Sequence, residues 1–121
     1  MPNALDRRGD IWSNSQVVRK GEKDRLQRRA DVLKALAHPS RLIMVEELAK
    51  GERCVCELRE LVGADMSTVS KHLAVLKKAG LVESDKRGLQ VFYSLLSPCV
   101  LNFFTCVESV IEAHREQATA N

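Results

Sequence analysis

The chain has 121 residues, 45% of them hydrophobic and 29% charged, with a formal net charge of +3. These are the proportions of one small globular domain, and no apolar run approaches the roughly 18 residues a membrane-spanning helix needs. Asp6, Arg7, Arg8 and Asp10 interrupt the start, where an export signal carries a continuous apolar stretch, so the expectation is a cytoplasmic protein without membrane association. The four cysteines then point to ligation or redox chemistry rather than to a structural disulfide framework.

Residues 1–22 mix Pro2, Gly9, Ser13, Asn14, Ser15 and Gly21 with charges and show no period, which predicts a flexible arm. From Asp24, Leu26, Ala30, Leu33 and Ala37 recur at helical spacing and stop before His38-Pro39, where proline disfavours a helical residue ahead of it. Pro39 suits the first turn of a second helix, whose apolar stripe is Leu42, Val45, Leu48 and Ala49 up to Gly51. After Cys54-Val55-Cys56, a short third helix is expected over Glu57–Val62, closed by Gly63. Ser67-Thr68 opens a fourth, with Val69, Leu73, Leu76 and Ala79 on one face and Gly80 at its end.

Leu81–Ser84 and Leu89–Leu95 have strand character, and Asp85-Lys86-Arg87-Gly88 between them reads as the turn of a β-hairpin. Ser97-Pro98 starts a fifth helix with the stripe Val100, Phe104, Val107, Ile111 and His114, followed by a polar tail. The predicted fold is mainly α: a winged helix-turn-helix of five helices with a two-stranded β-wing. Residues 23–116 form the winged-helix DNA-binding domain, residues 1–22 the arm and residues 117–121 the tail.

The charge is unevenly placed. Between Lys71 and Arg87, the cations Lys71, Lys77, Lys78, Lys86 and Arg87 face only Glu83 and Asp85, a local surplus of the kind a phosphate backbone attracts. In the winged-helix plan the fourth helix enters the major groove by its N-terminal part. Ser67, Thr68, Ser70, Lys71 and His72 are therefore placed to meet bases and phosphates, while Lys86 and Arg87 on the wing meet the adjacent backbone. Each has a plainer reading as well: Ser67 as a helix cap, His72 beside Leu73 as packing.

Four segments, Leu36-Ala37-His38-Pro39-Ser40-Arg41-Leu42, Cys54-Val55-Cys56-Glu57-Leu58, Ser67-Thr68-Val69-Ser70-Lys71-His72-Leu73 and Ala79-Gly80-Leu81-Val82, resemble the ArsR/SmtB family of metal- and metalloid-responsive repressors. The likeness spans about residues 25–115. It implies a homodimer on a palindromic double-stranded operator, joined through helices one and five and released from DNA when an inducer binds. In the arsenic-responsive branch the corresponding box carries a third cysteine three residues after the second; here that position is Arg59. The family's helix-five zinc site is also missing, since the aligned stretch offers Ser97, Cys99, Val110 and Ala113.

Residues two apart lie about 200° around an α-helix, so Cys54 and Cys56 can share a ligand only from an extended lead-in to helix three. A helix start lowers a thiol's pKa and favours the thiolate that thiophilic ions bind. Trivalent arsenic usually takes three thiolates and zinc or cadmium four donors, so a further ligand is needed. Cys99 and Cys106 lie about 10.5 Å apart along an undistorted helix and cannot both join one site. Cys99, after Pro98, is the expected extra ligand; Cys106, between Phe104 and Val107, reads as a core or dimer-interface residue, and the isolated His114 as a surface group.

The leading expectation is a repressor that leaves its operator on binding arsenite or antimonite, with cadmium or zinc as further candidates, through Cys54, Cys56 and Cys99. The alternative within the same fold is a thiol redox or persulfide sensor. A small thiol oxidoreductase is disfavoured, because Cys-x-Cys is not the Cys-x-x-Cys redox spacing and no βαβ pattern surrounds it. No organic cofactor is implied.

Overall fold

A computed structural model describes residues 20–120, and the expected arm therefore lies outside the described residues except for its last three, which begin the first helix. The elements run α1 (Lys20–Leu36), α2 (Pro39–Leu48), β1 (Arg53–Cys54), α3 (Val55–Val62), α4 (Met66–Lys78), β2 (Val82–Arg87), β3 (Gln90–Leu95) and α5 (Val100–Ala120). Among the described residues, 20–34 and 35–120 belong to two separate units. In the first, the body of α1 is a polar helix in which the Gln27 amide donates to Asp31 at 3.0 Å.

The core belongs to the second unit. Met44, Val45, Leu58, Val69, Leu73, Leu76 and Val82 are its largest fully buried side chains, drawn from α2, α3, α4 and the root of the wing. Each helix contributes the stripe that a 3.6-residue period brings to one side, and the three stripes close on one another. Local signals end each element. Pro39 occupies the first turn of α2, and Gly63 closes α3 at φ 75, ψ 27, a left-handed conformation that glycine takes without steric cost.

The sheet has three antiparallel strands in the order β1-β3-β2. The wing is the β2–β3 hairpin, with Val82 opposite Leu95 and Arg87 opposite Gln90. The two-residue turn is Gly88-Leu89, with Gly88 at φ 64. Lys86 and Arg87, expected in the turn, are instead the last two residues of β2; the tight turn needs one residue that tolerates positive φ, and Gly88 supplies it. The two-stranded wing also gains a partner: Arg53 and Cys54 pair with Tyr93 and Phe92 of β3.

Three further boundaries move. α3 starts at Val55, two residues early, because Glu57 accepts from the Cys54 N–H at 2.9 Å and fixes Cys54 as the cap. α5 begins at Val100, so Pro98 and Cys99 form a turn ahead of it rather than its first turn. α5 also continues through the stretch expected as a tail, to Ala120.

Truncating the centre of this core tests it. Leu58 is fully buried at the meeting of α3 with α2 and α4. Leu58→Ala is expected to lower unfolding free energy by about 3 kcal/mol, read from chemical denaturation.

Candidate DNA-facing surface and thiol pair

The buried face of α4 carries Val69, Leu73 and Leu76, which turns Ser67, Thr68, Ser70 and Lys71 outward as exposed side chains. The helix start is built by Asp65, whose carboxylate accepts from the Thr68 N–H at 2.8 Å and from the Ser67 hydroxyl at 3.1 Å. Asp65, not Ser67, is therefore the cap. Hydrogen bonds from Thr68, then from Ser67, hold the Asp65 carboxyl below the usual carboxylate range.

His72 is placed differently from its four neighbours. It is half-buried, with its ring 4.4 Å from that of His38 and its Nδ1 3.1 Å from Arg41 Nη1. A guanidinium can only donate, so Nδ1 accepts and the neutral ring carries its proton on Nε2. Arg41 Nε also donates to the Ala35 carbonyl at 2.6 Å, and His38 Nδ1 accepts from the Ser40 N–H at 3.0 Å, capping α2. His72 thus ties α4 to the start of α2. Burial, then His38 and Arg41, push its pKa down.

On the wing, Lys86 is exposed. Arg87 is engaged at all three of its nitrogens: Nη1 and Nη2 donate to the two carboxylate oxygens of Glu52 at 2.8 and 2.6 Å, and Nε donates to Asp85 at 2.9 Å. Its guanidinium lies 4.6 Å over the Phe92 ring. Lys77 is also occupied, donating to the Ser84 hydroxyl at 2.7 Å.

The thiols divide into a pair and two singles. Cys54 and Cys56 are joined as a disulfide across the β1–α3 junction, with Cα atoms 5.4 Å apart. Cys54 has the extended backbone, φ −80 and ψ 160, that the two-residue spacing requires, and is buried; Cys56, in the first turn of α3, is exposed. Cys99 and Cys106 are both free and exposed, so Cys106 is not a core residue of the single chain. Its neighbours Phe103 and Val107 are exposed too, because α5 turns most of its length away from the core. Among the described residues no group of three or more His, Cys, Asp or Glu is placed to hold a metal ion, so Cys99 does not join the pair in a three-donor site within one chain.

Sequence reasoning missed Asp65, His38, Arg41, Glu52 and Phe92. Only Asp65 left a local signal, an acid just ahead of an apolar-periodic run; the others depend on partners brought together by the fold.

Residues 38–84 match the profile described as "Bacterial regulatory protein, arsR family". A biofilm growth-associated repressor of Xylella fastidiosa is 32% identical over 102 residues, which cover 84% of this chain and 90% of that one. The chain belongs to the ArsR family. A Synechocystis transcriptional repressor, an SmtB homolog, is 38% identical over 67% of this chain and 61% of its own length. A solution structure from Mycobacterium bovis, described as a homodimeric winged helix-turn-helix DNA-binding domain, is 33% identical with a TM-score of 0.69, over 82% of this chain and 92% of that one. ArsR-family members of this kind are transcription regulators and not enzymes, which removes the oxidoreductase reading. Among the described residues no helix is long and apolar enough to cross a membrane.

The capping carboxylate of Asp65 and the exposed Ser67 side chain are separable by mutation. Asp65→Ala is expected to cost about 1 kcal/mol of stability, whereas Ser67→Ala leaves the melting temperature within about a degree, read by thermal circular dichroism. For His72, the folded-state pKa lies below the unfolded value of about 6.5, so the unfolded chain binds the proton more readily. The stabilisation is complete above that value and is lost as pH falls below it. Melting temperature should therefore fall as pH drops below about 6.5, and His72→Gln should flatten that part of the profile.

Proposed function

We propose that this ArsR-family regulator is a cytoplasmic, homodimeric repressor whose hold on a palindromic operator is set by the state of Cys54 and Cys56. In this reading Ser67, Thr68, Ser70 and Lys71 meet the major groove and Lys86 the flanking backbone. His72 contributes chiefly by fixing the helix, through Arg41 and His38. The observation that carries the sensing assignment is the pairing of a buried and an exposed thiol across the β1–α3 junction, close enough to bond, with no three-donor metal group among the described residues. Closing the bond takes two electrons and two protons from the thiols, accepted by a peroxide or a polysulfide, and reduction by a dithiol returns them.

The route from that bond to DNA is short. α3 packs on α4 and β1 pairs with β3, so both DNA-facing elements touch the segment that the bond constrains. A state change there alters affinity only as far as the two states differ in their fit to DNA. Dimerisation through α1 and α5 suits the apolar side chains Phe103, Val107, Val110 and Ile111 that α5 leaves exposed. The Mycobacterium bovis domain, described as homodimeric, supports dimerisation as such.

The thiophilic-ion reading uses the same two residues. Reduced, Cys54 and Cys56 present two thiolates for arsenite or antimonite, and Cys99 of a second chain supplies the third. Cadmium and zinc, which take four donors, fit this set less well.

Operator binding followed by fluorescence anisotropy at fixed salt separates the two. Peroxide or polysulfide should weaken binding about tenfold or more in the wild type, a dithiol should restore it, and Cys54→Ser and Cys56→Ser should each abolish the response. Release of the reduced protein by arsenite alone, with oxidants silent, would replace the redox reading by the ion reading.

A further inference from the structure

Arg87 raises a question that the thiol pair does not answer. It stands at the end of β2 next to exposed Lys86 and the hairpin turn, where a winged-helix protein meets the DNA backbone, yet its guanidinium is already filled. The occupant is a carboxylate in two-pronged contact, the same geometry in which an arginine holds a phosphate. The pair is exposed, with 49% of the Arg87 side chain and 36% of that of Glu52 open to solvent. Pairs this exposed stabilise weakly and exchange readily.

We propose that Glu52 is a built-in stand-in for a DNA phosphate: it holds the Arg87 fork in the free protein, and DNA binding exchanges its carboxylate for a backbone phosphate. The rest of the arrangement suits an exchange. Phe92 below the guanidinium and Asp85 on Nε keep Arg87 at the wing while the two Nη groups change partner. Glu52 is delivered by the strand that follows it, since Arg53 and Cys54 are in register with Tyr93 and Phe92. Arg53 is itself bound to Glu47 at 3.0 Å, which leaves Arg87 as the cation to which Glu52 offers both oxygens. The consequence is a regulator with damped affinity for arbitrary DNA, because each wing must give up an internal partner before it gains a phosphate.

This goes beyond the thiol reading and rests only on DNA binding by the family, so it is tested separately in reduced and in oxidised protein. The probe is a fluorescein-labelled duplex of arbitrary sequence, titrated by anisotropy over a range of salt. Arg87→Gln should lower the salt slope by about 1 per subunit, as loss of one phosphate contact does. Glu52→Gln should tighten binding about fivefold, and by less than about twofold when Arg87→Gln is also present. Glu52→Asp, which keeps the charge but shortens the arm, should tighten binding about twofold, and it carries the test if Glu52→Gln fails to fold. The proposal is overturned if Arg87→Gln leaves the salt slope unchanged. It also fails if Glu52→Gln tightens binding equally with and without Arg87, or if neither Glu52 variant tightens it.

Discussion

Closure of α2, α3 and α4 over one small core is the constraint on which the molecule depends. Leu58 from α3, Met44 and Val45 from α2, and Val69, Leu73 and Leu76 from α4 are all removed from water together. At about 25 cal/mol per Å2 of apolar surface, a buried side chain of this size contributes roughly 1.5–3 kcal/mol, and these side chains act on all three helices at once. Because Val69, Leu73 and Leu76 must point inward, the period of the helix turns Ser67, Thr68, Ser70 and Lys71 outward. The exposed polar surface of α4 is thus a by-product of its packing, and its rigidity is that of the core.

A second joint is much smaller. β1 has two residues, yet it brings together the Cys54 end of the thiol pair, the backbone of Phe92, and Glu52 with its hold on Arg87. A strand this short has little stability of its own. It persists because each end is tied: Glu57 accepts from the Cys54 N–H, and Glu47 accepts from Arg53. The polar contacts around β1 are therefore what keep thiols and wing in one mechanical unit.

Much of the fold was legible because helices advertise themselves by period and by their ends. The stripe of α4, the proline at the start of α2 and the glycine after α3 are local, and each is where the spacing placed it; the α2 stripe keeps Val45 and Leu48 but takes Met44 in place of Ala49, which is exposed just past the helix end. β1 was not legible, since two residues have no period and its partners Phe92 and Tyr93 lie nearly forty positions away. Arg87 was rightly placed on the wing, but Glu52 is separated from it by 35 residues, and nothing local announces that pairing. His72 shows the same limit: packing and groove contact look alike in sequence, and the choice between them was made by Arg41 and His38 on other segments. Cys106 was read as a core or dimer-interface residue because its neighbours are apolar; the apolar face of α5 is exposed in the single chain, which removes the first of those two readings.

The two-residue spacing of the thiols also limits how a signal can spread. A bond between residues two apart closes only a small ring, so it cannot draw distant elements together as a long-range disulfide does. Whatever it changes must be local: the turn from β1 into α3, the cap that Glu57 makes, and the position of Glu52 two residues earlier. Such a small displacement matters only where a neighbour cannot absorb it. Both neighbours here are of that kind, since α3 shares the dense core with α4, and β1 shares its hydrogen bonds with the wing. Arg59 in place of a third cysteine is consistent with this economy, because a site with two thiols needs no rearrangement beyond the segment that carries them.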